Sequence, residues 1–540
     1  LTRLERRDAP AVINFAINAA SSNLTFSGSL GGAAIVQQGA GSLTQSFAGN
    51  VRADVDFAGN TLQFLADGTT AVANSHGPWA PGIGGGPGTA LANFAGRVPV
   101  NIGFTVNVNL AVRGAVSTLE SAVLALSGAG ATRTFSSTQT FTLLAGTVDY
   151  RDALLGTLAN GTGDISGSTT TNASTTAGTF ADLGGGQYSI TAPIEASLAT
   201  TVTGPSGPLP ATYTLKGSLS ATATLPVVDL NGAATGFDVS FSTPGTPPAL
   251  IAPLATITRA TAADLTSLTV TLVSPPDGTS EALAVDLTGL GLSTTGYDPV
   301  SGKLVITGPA SLATYQAALR KVVYSNAAAS PTAGPRAITV VVNDGGNDSL
   351  PRTATATITI PPAVVQSVVV NDGAAQRSMV RSVTVTFDRV VTANGSPASF
   401  LSLTGPGGPV GLVVDTTGST PANTVYRLTF TGAGITGGSL ANGRYTLTIP
   451  ADNGTAGVIN FDGDANGVAG GNFELVGDPA TNKLFRLYGD NDGDGTVGAS
   501  DFLAFRLAFL SNSPTFDLDG DGSVGASEFL TFRLGFLQPV

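Results

Sequence analysis

The stretch VNIGFTVNVNLAV, residues 100–112, sets the reading of the fold. Val100, Ile102, Phe104, Val106, Val108, Leu110 and Val112 alternate with Asn, Gly, Thr and Ala. Successive side chains of a strand point to opposite faces, so this period of two predicts one long strand over 100–112, buried on one side. Working outward, Val12–Asn18, Val51–Phe57, Thr118–Leu126 and Thr134–Leu144 carry the same pattern. Tyr188–Thr203 and Ala211–Leu225 flank GPSGPLP and predict a closing hairpin. Residues 10–225 therefore read as one large β domain, a two-sheet sandwich or jelly roll. The segment AVINFAINAA (11–20), apolar on alternate residues, is a candidate donor strand for pairing between copies.

Composition supports a mainly β chain. The 540 residues predict several domains, and 42% apolar residues supply a core for each. Only 11% of residues are charged, while Gly (70 residues), Thr, Ser and Ala fill the remaining positions; that mix suits sheets joined by turns. The net charge of −12, with no basic run beyond Arg3, Arg6 and Arg7, argues against a nucleic-acid partner. There is no cysteine, so disulfides and thiolate metal sites are excluded. No apolar run reaches the ~18 residues of a membrane span.

Two further β regions follow. Residues 226–362 open with VVDLNG and end with AITVVVNDGGNDS and TATATITI; between them YDPVSGKLVITGPASLATYQAALRKVVYSN reads as strand, short helix, strand. Through Asp229, Asn231, Leu312, Tyr315, Leu319, Tyr324, Asn326, Arg336, Asn343, Asp344 and Gly345, this region resembles the cadherin-like repeats of large bacterial adhesins. That resemblance implies an Ig-like sandwich used as a spacer or adhesive module. Residues 363–478 carry VVQSVVV, SVTVTF, TVYRLTF and GRYTLTI, and NDGAAQRSMVRSVTVTFDRVV resembles Ig-like modules of the same secreted proteins. The opening LTRLERRDAPA, residues 1–9 with the two that follow, resembles the segment after the export signal of large secreted bacterial proteins, which implies an extracellular location at a cell surface or in a matrix.

The tail, residues 479–540, changes character. GDGTVGASDFLAFRLAFL is repeated as GDGSVGASEFLTFRLGFL, with Asp517 standing 27 residues after Asp490. Each copy is an Asp- and Gly-rich loop followed by a helix. Phe502, Leu503, Phe505, Leu507, Phe509 and Leu510 in one helix, and Phe529, Leu530, Phe532, Leu534, Phe536 and Leu537 in the other, predict that the two helices pack together. Counted from Asp490, Asp492 is third, Asp494 fifth, Gly495 sixth, Thr496 seventh and Asp501 twelfth. Counted from Asp517, the same places hold Asp519, Asp521, Gly522, Ser523 and Glu528. Calcium takes six to eight oxygens, and a loop of this grammar curls its carboxylates around one ion, turning sharply at the sixth residue and using the carbonyl of the seventh. Two Ca2+ sites are expected, and without cations the clustered carboxylates repel, which couples metal binding to folding. Val497 and Val524, at position eight, are expected to pair between the loops.

The tail resembles a type I dockerin, a tandem EF-hand module. That resemblance implies a cohesin-like partner, read in such modules by loop positions ten and eleven, here Ala499 and Ser500, and Ala526 and Ser527. The longer repeat spacing and the more aromatic helices depart from the pattern and equally suit docking within the chain or against a neighbouring copy.

Weaker candidates have plainer readings beside them. Asp462, Asp464 and Asn466 begin like a third calcium loop, but no acid fills the twelfth place, with only Asn472 nearby; a polar turn is the alternative. Asn343, Asp344, Asn347 and Asp348 read as a turn or a junction site. Asp54 and Asp56 share a strand face, as paired carboxylates of glycoside hydrolysis do, or as a solvated face does. His76 and Trp79, the only His and Trp, lie in a Gly-rich loop where the indole would stack on a sugar or cap the sandwich. With one His and no nucleophile motif, the expectation is not an enzyme but an extracellular structural or adhesive scaffold, a fibre or layer included. The alternative is a dockerin-bearing protein that binds or degrades polysaccharide.

Overall fold

The computed structural model describes residues 11–204, 207–328 and 331–540; residues 1–9, with Arg3, Arg6 and Arg7, lie outside the described residues. The fold is mainly β, with four short α-helices among the described residues. No described helix is long and apolar enough to cross a membrane. Two compact units divide the chain: one holds the residues up to Ser242 with Pro247–Ser325 and Pro335–Thr357, the other Thr243–Thr246, Asn326–Gly334 and Ile358–Val540.

In the first unit, strands from Ala11 to Thr224 hydrogen-bond into one sixteen-stranded sheet. Phe15, Phe64, Phe94, Phe141 and Phe180, from separate strands, share a single buried core, so the sheet folds over on itself. Gln187–Gly204 and Gly207–Thr224 form the expected hairpin, in register from Gln187 opposite Thr224 to Gly204 opposite Gly207.

Three expectations are corrected here. Residues 100–112 are not one strand. Phe94–Asn101 and Thr105–Glu120 form a hairpin in which Val106 lies opposite Val100. Gly103 takes φ +99°, its N–H donates to the Asn101 side-chain oxygen (3.0 Å), and Ile102 and Phe104 at the tip are 45% and 58% exposed. The apolar alternation runs unbroken through the turn, so periodicity alone hides it. Thr118–Leu126 and Thr134–Leu144 are likewise each divided between two strands. Finally, Ala11–Ile17 is no donor strand. It already pairs with Thr44–Asp56 (Phe15 opposite Val51) and with Gly207–Thr224 (Ala16 opposite Thr222), and it buries Ile13 and Phe15.

The rest of this unit holds a six-stranded and a three-stranded sheet. Helix α1 (Leu312–Leu319) lies between strands Lys303–Ala310 and Val322–Asn326, as read from the sequence. Its N-cap Ser311 accepts the Thr314 N–H (3.2 Å), and Tyr315, Ala318 and Leu319 are buried. A buried ion pair joins Arg336 to Glu281 (3.0 Å), which also accepts the Tyr324 hydroxyl (2.6 Å). The second unit has a seven-stranded sheet around Phe387, Tyr426, Leu428 and Phe461, a short helix α2 (Pro397–Phe400), and the tail helices α3 (Ala499–Ala508) and α4 (Ala526–Gly535).

Candidate metal centre

Each tail loop closes on its first carboxylate. Asp490 accepts the N–H groups of Gly493 (2.6 Å) and Gly495 (3.1 Å); Asp517 accepts those of Gly520 (2.8 Å) and Gly522 (3.1 Å). The sixth-position glycines, Gly495 and Gly522, sit at φ +86° and +87°, a backbone conformation that costs an L side chain roughly 1–2 kcal/mol. The fifth carboxylate binds the seventh residue: Asp494 accepts the Thr496 hydroxyl and Asp521 the Ser523 hydroxyl, both at 2.8 Å.

The outcome is two three-carboxylate clusters. Oxygens of Asp490, Asp492 and Asp494 lie within 4.8 Å of one another, as do those of Asp517, Asp519 and Asp521. In each cluster the first Asp is buried and the other two face solvent. These triplets could hold a metal ion, and carboxylate oxygens suit calcium. Burial pushes the Asp490 carboxyl up to about 6; the Asp501 and Asp494 carboxylates add to the rise, and the Gly495 and Gly493 N–H groups oppose it. A divalent cation would relieve that repulsion.

Position twelve distinguishes the loops. Asp501 spends both oxygens inside its own loop, accepting from the N–H groups of Asn491 (2.7 Å), Asp492 (3.3 Å) and Gly498 (2.9 Å). Glu528, only 1% exposed, uses one oxygen for the Gly525 N–H (2.9 Å) and the Ser527 hydroxyl (2.7 Å); its Oε1 is buried without a partner. A buried carboxylate oxygen left unpartnered is costly, and a cation beside it would remove the cost. The structure thus brings together the first, third and fifth carboxylates of each loop, Asp490, Asp492 and Asp494 and Asp517, Asp519 and Asp521, while Asp501 and Glu528 make their contacts to backbone N–H groups and the Ser527 hydroxyl.

Val497 and Val524 do not pair with each other, which corrects the expectation. Each loop instead pairs with the second residue beyond a helix: Leu537 N–H donates to Val497 O, and Leu510 N–H to Val524 O, both at 2.8 Å. The segments following the helices occupy the edge that each loop presents, so the two repeats are tied reciprocally. Both valines share a core with Phe505 and Phe532, whose rings stack at 4.5 Å. Helix packing uses less apolar surface than the sequence promises: Leu507, Leu510, Leu534 and Leu537 are 71–81% exposed. Ala499, Ser500, Ala526 and Ser527 are exposed, and the Ser500 hydroxyl donates to Asp492 (2.9 Å).

Several residues of the weaker candidates cap turns. Asp462 accepts the N–H groups of Asn466 (3.0 Å) and Gly467 (2.7 Å), and Asn466 donates to Asp464 (2.9 Å). Asp344 caps Gly346 and Asn347 and pairs with Arg259 at 2.9 Å, while Asn347 bonds Asn14. Asp56 caps Ala58 and Gly59. Trp79 meets His76 edge-on at 5.6 Å, and Gly39 and Gly77 leave room for its ring. Asp54 and Asp56 belong to a different strand, Thr44–Asp56.

No protein-family model matches the chain, and no curated protein matches it significantly.

Sequence reasoning missed Arg377, Ser378 and Arg381, which grip the loops from the sandwich. Arg377 N–H donates to Asp490 O (2.8 Å), Gly489 N–H to Ser378 Oγ (3.0 Å), and the Arg381 guanidinium to the carbonyls of Pro514 (2.8 Å) and Asp517 (3.2 Å). QRSMVRS carries no spacing that announces such a role.

Proposed function

We propose that this chain is a secreted, non-enzymatic structural or adhesive scaffold of a bacterial surface or matrix. β modules supply its body, and a calcium-dependent, dockerin-like tail supplies its attachment. Asp490, Asp492, Asp494 and Asp501, with the Thr496 carbonyl, would hold one calcium ion; Asp517, Asp519, Asp521 and Glu528, with the Ser523 carbonyl, would hold a second. The bound ion supplies charge neutralisation and cross-links each loop to the start of its helix.

One observation carries the metal part of this reading: the buried, unpartnered Glu528 Oε1 in the loop that holds the Asp517, Asp519 and Asp521 carboxylates. The exposed Leu507, Leu510, Leu534 and Leu537 support attachment through the helices, because exposed apolar patches mark interaction sites. The partner is a cohesin-like domain or a neighbouring copy. Light scattering of the full chain, before and after chelation, tests the scaffold role. A mass that rises with calcium and with concentration supports self-assembly, and a constant monomer directs the search to a separate partner. Hydrolysis of polysaccharide by the purified chain would overturn the non-enzymatic reading.

A further inference from the structure

The sandwich meets the two tail loops at equivalent points. The first residue of each loop has its carbonyl oxygen held by the same short segment: Asp490 O by the Arg377 N–H (2.8 Å) and Asp517 O by the Arg381 guanidinium (3.2 Å). The fourth residue of each loop is a glycine at positive φ, Gly493 at +70° and Gly520 at +79°. Both glycines lie against sandwich backbone. A side chain at 493 would collide with the Ala375 carbonyl, and a Cβ at 520 would lie 3.3 Å from Gly437 Cα. Arg381 also donates to Gly437 O (2.9 Å), so one side chain spans the sandwich turn and the second loop.

These contacts have nothing to do with the twelve-residue grammar, which such loops satisfy from their own residues. They fix the backbone that carries the first ligand carboxylate of each loop. An acidic loop whose carboxylates repel relaxes by opening, and opening pulls Asp490 O and Asp517 O away from their donors.

We propose that residues 375–381 of the sandwich are positioning residues for both calcium loops, so that calcium binding and clamping of the tail onto the sandwich form one linked equilibrium. The inference rests on the calcium reading above. By linkage, whatever calcium contributes to the clamp, the clamp contributes to calcium affinity. Arg381 acts through the Asp517 carbonyl and touches no ion. A lysine there keeps one charge but loses the fork that reaches three carbonyls, so it rescues only in part.

The test uses the full chain and calcium chloride alone. Hydrogen exchange of the wild type, with and without calcium, is expected to show added protection at residues 377–382 and at Leu440, whose N–H donates to Val380 O (3.0 Å), together with the loops. Protection confined to 490–540 overturns the proposal, and this readout does not depend on any variant folding. Calorimetry of Arg381→Ala is expected to show one site weakened about tenfold, the worth of a lost charge-assisted hydrogen bond, with Arg381→Lys between that variant and the wild type. Unchanged affinity at both sites in Arg381→Ala overturns the linkage while leaving the calcium sites standing. Absence of binding by the wild type removes the calcium reading and the linkage with it.

Discussion

At the scale of single residues, buried carboxylates in this chain stand in two hydrogen-bonding situations, one fully partnered and one not. Asp152, 2% exposed, gathers a loop by accepting the N–H groups of Leu154 (2.8 Å), Gly156 (3.0 Å), Leu158 and Ala159 (2.8 Å). Burial acts to raise its pKa, but those four amides outweigh it and hold the carboxyl below the usual range. A folded pKa below the unfolded value of about 3.9 stabilises the fold above that value and loses the contribution as pH falls through the folded pKa. Denaturant titrations at successive pH values are expected to show Asp152→Asn less stable than the wild type at neutral pH, with the gap closing below about pH 4. A constant gap would deny the carboxylate this role. Glu528 is the opposite case, a buried acid with an oxygen to spare. Glu528→Gln removes the charge at nearly constant shape, and calorimetry is expected to show at least a tenfold loss at one calcium site and little change at the other. Equal loss at both would mean that the loops do not bind independently. The grouping of Asp490, Asp492 and Asp494, and of Asp517, Asp519 and Asp521, was legible in the sequence because these carboxylates are local to one loop. Arg381 was not, because its bond to Asp517 closes over 136 residues.

At the scale of elements, period-two patterning located some strands, the closing hairpin among them, but missed others such as Asn23–Leu30, Thr61–Ala73 and Leu265–Val273, and it misplaced strand ends. Ile102 and Phe104 keep the alternation through a tip where neither is buried, and only Asn101 and Gly103 betray the turn. The helices fail in a complementary way. A helix pattern rich in Phe and Leu promises a broad packed face, yet α3 buries only Phe505 and Asp501, and α4 only Phe532 and Glu528. A sequence cannot separate an apolar residue meant for the core from one meant for a partner. The energetic consequence is sharp. Phe505→Ala is expected to cost about 3–5 kcal/mol, whereas Leu507→Ala, at a position 79% exposed, stays within about 0.5 kcal/mol. Thermal or denaturant unfolding of the two variants checks the contrast, and a comparable loss in both would show that the leucine stripe is covered in solution.

At the scale of the whole molecule, the unit that contains the tail also contains the third β region, which the sequence assigned to a separate domain. The strand pair Gly443–Arg444 with Phe485–Arg486 runs from that region into the tail. Arg486 is buried and donates to Ser378 O (2.7 Å), and Tyr488 donates its hydroxyl to Phe516 O (2.7 Å). Such joints are invisible to composition, which changes abruptly near residue 479. Because a ligand that binds only the folded state stabilises it by about 2.7 kcal/mol at a hundred times its Kd, calcium is expected to raise the melting temperature of the second unit and leave the first unchanged. Scanning calorimetry with calcium and with chelator reads this directly; a shift in both transitions or in neither would contradict it. Calorimetric titration of the chelator-stripped full chain with calcium chloride tests the central claim most directly: the account requires two bound ions per chain, and no heat of binding with unchanged stability would contradict it.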